Sequence, residues 1–272
     1  MNSKVAKYFR QDRMPFIWCP GCGNGSVLSA LTEAFEKLSI NRDKTVIVSG
    51  IGCSSRAPLY MDFDTLHTTH GRAITFASGV KMAKPELTVI VITGDGDCSA
   101  IGGNHLIHAA RRNIDLTVIC MNNSVYGMTN GQFSPTTPYG SYTPTSPFGN
   151  AERSFDLCGL VKAAGATYVA RGTTYHLRAL PGMMESAINN KGFSFIDVIT
   201  QCPTYYGRKN KLAAPVDMLT WMRDSSIHIR DAAEKKPEEL SGKFVIGEFY
   251  NTPAPEYTQE YDRLSASKKE KK

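Results

Sequence analysis

The sequence predicts an α/β protein: a doubly wound, mostly parallel sheet with helices on both faces, followed by a C-terminal extension. Three observations carry this expectation. Residues 89–93 (VIVIT) and 116–121 (LTVICM) are unbroken apolar runs rich in β-branched side chains, as strands buried on both faces of a parallel sheet require. Residues 100–112 between them have helical spacing, which completes a β-α-β unit. Further short apolar runs alternate with helical stretches along the chain, and the runs end in glycine, asparagine or cysteine. Polar groups would therefore collect outside the carboxyl ends of the strands, where open α/β sheets bind ligands.

Taken in order, Trp18-Cys19-Pro20-Gly21-Cys22-Gly23 reads as a tight loop. Asn24 is placed to cap a helix carrying Val27, Leu28, Leu31, Phe35 and Leu38 on one face. Residues 45–48 form a short buried strand, with Gly50-Ile51-Gly52-Cys53-Ser54-Ser55-Arg56 at its end. Thr68-Thr69-His70-Gly71-Arg72 precedes an alanine-rich helix over 73–83. His70 at that helix start either donates to an anion or simply caps and packs. After the central β-α-β unit, residues 123–150 form a long aperiodic stretch rich in Gly, Pro, Ser and Thr. A loop of that length in a compact domain is usually a lid or wall, and Tyr126, Phe133, Tyr139, Tyr142 and Phe148 argue that it is ordered. Residues 155–164 read as helix, 167–170 as strand, 174–190 as helix broken near Pro181-Gly182, and 193–200 as the last buried strand, ending at Gln201-Cys202-Pro203. Residues 215–223 are a short helix, and 231–272 is polar with no strong core pattern. The expected division is a binding domain over 1–204 and an extension with a charged tail over 205–272 that packs on a partner and then frays.

Composition excludes several function classes. No apolar run approaches the roughly 20 residues of a membrane span, and MNSKVAKYFRQDRMPF lacks the apolar segment of a secretory signal, so a cytoplasmic protein is expected. Half of the formal charge of +6 comes from Lys268, Lys269, Glu270, Lys271 and Lys272. No basic face with interleaved aromatics accompanies it, which argues against nucleic acid. Seven cysteines in such a chain point to metal or redox chemistry rather than disulfides.

Two strand ends carry the first chemical signal. Gly94-Asp95-Gly96-Asp97 follows one central strand and Asn122-Asn123 ends the next. One carboxylate (Asp95), one amide oxygen (Asn123) and a turn backbone form a hard, oxygen-only site. That suits Mg²⁺, which takes few protein ligands and completes its octahedron with phosphate oxygens and water. The glycines let backbone N–H groups at the helix start approach a diphosphate. The alternative is an ordinary pair of turns. A nucleotide-binding glycine loop is disfavoured, since neither G-x-G-x-x-G nor a P-loop lysine follows a strand. The Gly-Asp-Gly … Asn-Asn pairing resembles the Mg²⁺–diphosphate motif of thiamin diphosphate enzymes.

The cysteines carry the second signal. Cys19 and Cys22 share a loop, while Cys53 and Cys202 sit at strand ends on the same rim. Four such thiolates suit either Zn²⁺ or a [4Fe–4S] cluster. One C-x-x-C plus two distant singles fits a cluster better than the paired knuckles of structural zinc. Cys98, Cys120 and Cys158 read as small buried hydrophobes.

CPGCG, GIGCSSR, HTTHGRA, GDGD followed by GGNH, MNNSVYGMTNGQ followed by SPT, and CPT occur in that order over residues 10–225. Together they resemble the β subunit of 2-oxoacid:ferredoxin oxidoreductases, nearest the 2-oxoglutarate type. The resemblance implies a thiamin diphosphate-binding fold holding thiamin diphosphate, Mg²⁺ and a [4Fe–4S] cluster. It implies cluster ligation by Cys19, Cys22, Cys53 and Cys202, and Mg²⁺ ligation by Asp95, Asn123 and the carbonyl of Val125. Coenzyme contacts fall on Ile51, Gly52, Cys53, Ser54, His70, Gly94, Gly96, Asp97, Gly127 and Met128. Implied partners are a longer α subunit, with small γ or δ subunits in some complexes, ferredoxin, coenzyme A and a 2-oxo acid. The reaction would be CoA-dependent oxidative decarboxylation, reversible in principle.

No glutamate in the sequence is convincingly placed to activate the coenzyme, and the family carries that residue on its α subunit. Activity is therefore expected only with partner subunits. For a dicarboxylate such as 2-oxoglutarate, Arg56 is the best-placed cation, with an ion pair supporting the Cys53 loop as its alternative role. Related subunits can carry a lysine where this chain has Asn130. The same chemistry on pyruvate or branched-chain 2-oxo acids is the competing substrate reading. A non-redox thiamin lyase is disfavoured by the short chain and the cysteines, and a zinc-stabilised, non-catalytic binding module is the alternative of a different class.

Overall fold

The computed structural model describes residues 6–269. Strands β1 (Thr45–Ser49), β2 (Asp64–His67), β3 (Thr88–Gly94) and β4 (Leu116–Asn122) are interleaved with helices α1 (Asn24–Lys37), α2 (Ala73–Ala83) and α3 (Gly103–Arg111). A hairpin of β5 (Val125–Tyr126) and β6 (Gln132–Phe133) follows β4. Then come α4 (Leu157–Ala164), β7 (Tyr168–Thr173), α5 (Leu180–Asn189), β8 (Phe193–Ile199), α6 (Pro215–Ser225), β9 (Ser226–His228), β10 (Phe244–Asn251) and α7 (Tyr257–Lys269). The main sheet has eight strands in the order β2-β1-β3-β4-β8-β7-β10-β9. The first six are parallel to one another, and β10 runs antiparallel to β7 and parallel to β9.

The unbroken apolar runs follow from burial on both faces. Along β3, Ile90 and Ile92 pack with α1 and α5, whereas Val89 and Val91 pack with α2, α3 and α4. Along β4, Ile119 and Met121 take the first face, and Val118 and Cys120 the second. Because successive side chains point to opposite faces, a strand covered on both sides must be apolar throughout. With six parallel strands, the carboxyl ends of β1, β2, β3, β4 and β8 all reach one rim, which brings together the motifs read at those ends.

Several elements depart from the sequence expectation. Asn24 does not cap α1: Gly23 holds the cap position, and the buried Asn24 makes no hydrogen bond through its Nδ2. Pro181 begins α5 rather than breaking it, since a proline in the first turn removes only an N–H that has no helical partner. After β3 the chain turns helical at Asp95 without a loop and passes through a widened π turn, Asp97–Ile101, before α3. Within residues 231–272, expected to lack a core pattern, β10 joins the sheet and α7 forms. The sheet thus crosses the 204/205 boundary. β10 lies between β7 and the short edge strand β9, and its FVIGEFYN is only half-buried, so it lacks the apolar signature of the central strands. Residues 270–272 of the charged tail lie outside the described residues.

The 123–150 stretch is ordered, and of its aromatics only Tyr126 and Phe133 are half-buried. Tyr139, Tyr142 and Phe148 face solvent, whereas Ser134, Thr136, Thr137, Thr143, Ser146 and Asn150 are buried and hydrogen-bonded. Among the described residues no helix is long and apolar enough to cross a membrane.

Candidate active site

A cavity of about 160 Å³ lies at the rim above β1, β3 and β4. Ile51, Gly52, Cys53 and Ser54 line it from the end of β1, and His70 from the loop before α2. Gly94, Asp95, Gly96 and Asp97 line it from the end of β3, and Asn123, Val125, Gly127 and Met128 from the end of β4. These are the residues the sequence motifs singled out on the rim. Met121, Tyr126 and Thr129 line it as well. Tyr126 covers Gly96 so closely that a Cβ there would lie 2.3 Å from its ring, which is why that position needs glycine.

Asp95 is held from behind. It is 1% exposed, and its Oδ2 accepts hydrogen bonds from Ser134 Oγ at 2.5 Å and Thr136 Oγ1 at 2.6 Å. Its Oδ1 takes only a long contact from the Asn123 N–H, at 3.4 Å. Burial raises the Asp95 carboxyl above its ordinary range, because a carboxylate loses its hydration there, and the two hydroxyls oppose that rise. One oxygen is therefore fixed and the other carries a single long contact. Asn123 Oδ1 accepts from the Val125 N–H at 3.2 Å, which sets the amide's orientation beside it. The clamp extends inward: Thr136 Oγ1 also donates to Asn122 Oδ1, Asn122 Nδ2 to Asp197 Oδ1, and Arg171 ties Asp197 to Asp156. None of the clamp hydroxyls was singled out as a ligand from the sequence. The signal that could have found them is the hydroxyl-rich Ser-Pro-Thr-Thr run in the long loop.

Asp97 acts as a junction rather than a free ligand. Its Oδ1 accepts from the Gly71 N–H at 2.7 Å, the Ile51 N–H at 3.3 Å and His70 Nδ1 at 2.5 Å, and its Oδ2 accepts from Thr93 Oγ1 at 2.7 Å. A carboxylate accepts only, so His70 carries its proton on Nδ1, and its Nε2 edge is left for the cavity. The loops after β1 and β2 are thus tied to the turn after β3 by one buried side chain.

The four cysteines of the second signal converge. The Trp18 indole N–H donates to the Cys53 carbonyl at 2.7 Å, and the Gly23 N–H to the Gln201 carbonyl at 3.1 Å. The C-x-x-C loop is thereby bound to both cysteine-bearing strand ends. A Cβ on Gly127 would lie 3.4 Å from Cys53 Sγ and 3.7 Å from Cys202 Sγ, so both sulfurs stand beside the Gly127 wall of the cavity, and Cys53 lines it. Burial pushes the Cys22 thiol up to about 12 and Cys53 to about 11, and raises Cys202; the neighbouring cysteines add to each rise. Among the described residues no three His, Cys, Asp or Glu side chains are close enough to hold a single metal ion. Cys98, Cys120 and Cys158 are buried, and the first two touch at 3.7 Å.

Arg56 is exposed and lies outside the cavity lining; among the described residues its guanidinium has no ion pair or hydrogen bond, while its charge acts on the Cys53 thiol and its backbone N–H bonds to the Cys53 carbonyl at 3.3 Å. Asn130, in a left-handed conformation with φ 83°, accepts a hydrogen bond from Tyr205 at 2.9 Å. No glutamate lines the cavity.

Comparison with known proteins gives this rim a context. Residues 50–198 match the family model described as "Thiamine pyrophosphate enzyme, C-terminal TPP binding domain". The chain is 54% identical over 258 residues to "2-oxoglutarate synthase subunit KorB" of Methanocaldococcus jannaschii, covering 95% of this chain and 96% of the relative. It is 55% identical over 250 residues to the protein of the same name from Methanothermobacter marburgensis, covering 92% and 88%. Its fold superposes with a TM-score of 0.87 and 34% identity on a chain of the 2-oxoglutarate:ferredoxin oxidoreductase from Magnetococcus marinus, a structure with 2-oxoglutarate, coenzyme A and succinyl-CoA bound. That match covers 98% of this chain and 91% of the other.

Proposed function

Since the chain belongs to the β subunits of 2-oxoacid:ferredoxin oxidoreductases, of the 2-oxoglutarate type, we propose that it binds thiamin diphosphate, Mg²⁺ and a [4Fe–4S] cluster for the oxidative decarboxylation of 2-oxoglutarate. Coenzyme A takes the succinyl group, CO₂ leaves, and two electrons pass singly to ferredoxin. The complex is a soluble cytoplasmic one, and this subunit works only with its α partner.

The carrying observation is that the oxygen-only strand-end site and two of the four converging cysteines border one cavity. The donors fit the cofactors. For Mg²⁺, Asp95 Oδ1, Asn123 Oδ1 and the Val125 carbonyl are hard oxygens, and Asp95 is a buried carboxylate whose ionised form a cation would favour. For the cluster, four thiols gather from the C-x-x-C loop and two strand ends, soft donors of the kind that iron–sulfur clusters take.

Bound thiamin diphosphate supplies a nucleophilic carbon and an electron sink for decarboxylation, and the cluster supplies one-electron transfer. This chain's residues do the positioning. Ser134 and Thr136 aim Asp95 at the metal position, and Asp97 fixes the orientation of His70 at the cavity wall. The N–H groups of the helical turn starting at Asp95 favour an anion there. Arg56, with no internal partner, grips the distal carboxylate of the substrate at the mouth. The absence of a lining glutamate leaves coenzyme activation to the α subunit.

The test is methyl-viologen reduction by the reconstituted complex across a panel of 2-oxo acids with coenzyme A, alongside iron, acid-labile sulfide and zinc analysis. Preference for 2-oxoglutarate with iron and sulfide supports the reading. Preference for pyruvate or branched-chain acids replaces the substrate, and stoichiometric zinc without thiamin binding overturns the whole.

A further inference from the structure

Beside the cysteines stands a surface feature that the reaction itself does not use. The turn after Cys202 carries Arg208, Lys209 and Lys211, all exposed, and none makes an ion pair or a side-chain hydrogen bond. The turn is rigid. The Gly207 N–H bonds to the Cys202 carbonyl at 2.9 Å and the Leu212 N–H to the Gly207 carbonyl at 2.8 Å. Asn210 exchanges hydrogen bonds with the Tyr142 backbone at 2.8 and 3.0 Å. Both ends of the turn reach the C-x-x-C loop: a Cβ on Gly21 would lie 2.1 Å from Pro215 and 3.6 Å from Pro203. In that loop Cys19 is exposed while Cys202 is buried, so the four-cysteine group opens toward solvent on this side. Asp217, on the first turn of α6, is an acid close in sequence to the three cations and leaves them in excess.

We propose that this turn is the docking surface for an acidic protein that carries electrons one at a time, such as a low-potential ferredoxin. The proposal rests on the reading of Cys19, Cys22, Cys53 and Cys202 as a cluster site. Free cations on a rigid turn steer an oppositely charged partner and orient it as it arrives. Their position beside Cys19 brings that partner to the side where the cysteine group is least covered. The cations contact neither the cavity lining nor the Asp95 clamp, so they set delivery of electrons and not the chemistry.

The experiment uses the intact complex carrying Arg208→Glu, Lys209→Glu and Lys211→Glu together. With an acidic ferredoxin as acceptor, the apparent KM is expected to rise about tenfold or more, and the wild-type weakening with added salt is expected to flatten. Methyl-viologen reduction and the KM for coenzyme A stay unchanged. An unchanged ferredoxin KM and salt dependence overturn the proposal. So does a raised KM for coenzyme A with viologen as acceptor, which would make the turn an anchor for that anionic substrate instead. If the triple variant does not assemble, Lys209→Ala and Lys211→Ala are each expected to reduce the salt dependence, and two unaltered slopes count against docking here. Lack of iron and acid-labile sulfide in the wild-type complex would overturn the underlying cluster reading, a failure visible before any variant is made.

Discussion

Replacing Asp95 with asparagine separates what this carboxylate costs from what it does. In the fold it is 1% exposed with two hydroxyl donors and one long N–H contact. Burial raises its folded pKa above the unfolded value. The sign follows: without metal, folding favours the protonated form, so stability falls as pH rises from the ordinary carboxylate range through the raised folded value. At neutral pH, Asp95→Asn removes that penalty, and the cofactor-free complex is expected to melt at the same temperature as wild type or above it. Cofactor binding moves the other way. A ligand at one hundred times its Kd adds about 2.7 kcal/mol to stability, or about 5–10 °C in Tm for a domain of roughly this size. Wild type should show a shift of that order with Mg²⁺ and thiamin diphosphate, and Asp95→Asn almost none, with affinity reduced more than about 100-fold. Thr136→Val, which removes one hydroxyl behind the carboxylate, should lose about 10–100-fold, as a supporting group does. Thermal melts with and without cofactor, and calorimetric titration of Mg²⁺ in the presence of thiamin diphosphate, supply the numbers. A full ligand-induced shift in Asp95→Asn would refute its role at the metal.

Arg56→Ala should raise the apparent KM for 2-oxoglutarate by about 10–100-fold, the worth of a charge-assisted contact, while leaving pyruvate nearly unaffected; equal changes in steady-state assays would remove Arg56 from substrate selection. Trp18→Phe keeps a ring against Phe16 and Tyr60 but loses the 2.7 Å bond to the Cys53 carbonyl. About 1 kcal/mol of lost support should speed the decay of iron–sulfur absorbance under chelator, with thiamin binding intact. Gly50→Ala would set a Cβ 2.1 Å from Asp97 Oδ2 and force the junction apart. A destabilisation of about 3 kcal/mol or more is expected from overpacking and lost charged hydrogen bonds, read by denaturant unfolding. The purified chain alone should not turn over any 2-oxo acid, and activity without another polypeptide would show that the site is complete in this subunit.

What could be read from residue order was set by local physics. Apolar runs with alternate side chains on opposite faces announced β3 and β4, and the polar residues at their ends announced the rim, because a parallel sheet delivers all its carboxyl ends to one side. The cysteines at positions 19, 22, 53 and 202 were visible as a group only through the same topology. What stayed hidden depends on contacts between distant segments. Ser134 and Thr136 follow Asp95 by about forty positions, and nothing local marks which loop hydroxyls turn inward. Asp97 lines the cavity, as its place in Gly-Asp-Gly-Asp suggests, but its second job, holding Gly71, Ile51, His70 and Thr93 together, is written nowhere in the local sequence. Strand β10 carries little signal because, one place in from the sheet edge, it is only half-covered, and its alternation is blurred by a bulge between Glu248 and Tyr250.

These hidden contacts explain why one long loop matters to the whole rim. Its inner face supplies the hydroxyls on Asp95, and through Thr136 and Asn122 it reaches Asp197, Arg171 and Asp156, a chain of charged groups that is nearly buried until it ends on Asp156. Its outer face meets the turn that carries the free cations, through Asn210 and Tyr142 and through Tyr206 and Ser141. Removing one partner from a buried charge costs more than the bond itself, because the other is left unpaired. The loop is therefore fixed from within, by its own hydroxyls and this buried network. The aromatics it turns outward, Tyr139 at 77% and Phe148 at 96% exposure, contribute nothing to that order. A wall built this way holds the Asp95 carboxylate on one side and the 208–211 turn on the other in fixed relation, because both are hydrogen-bonded to the same loop.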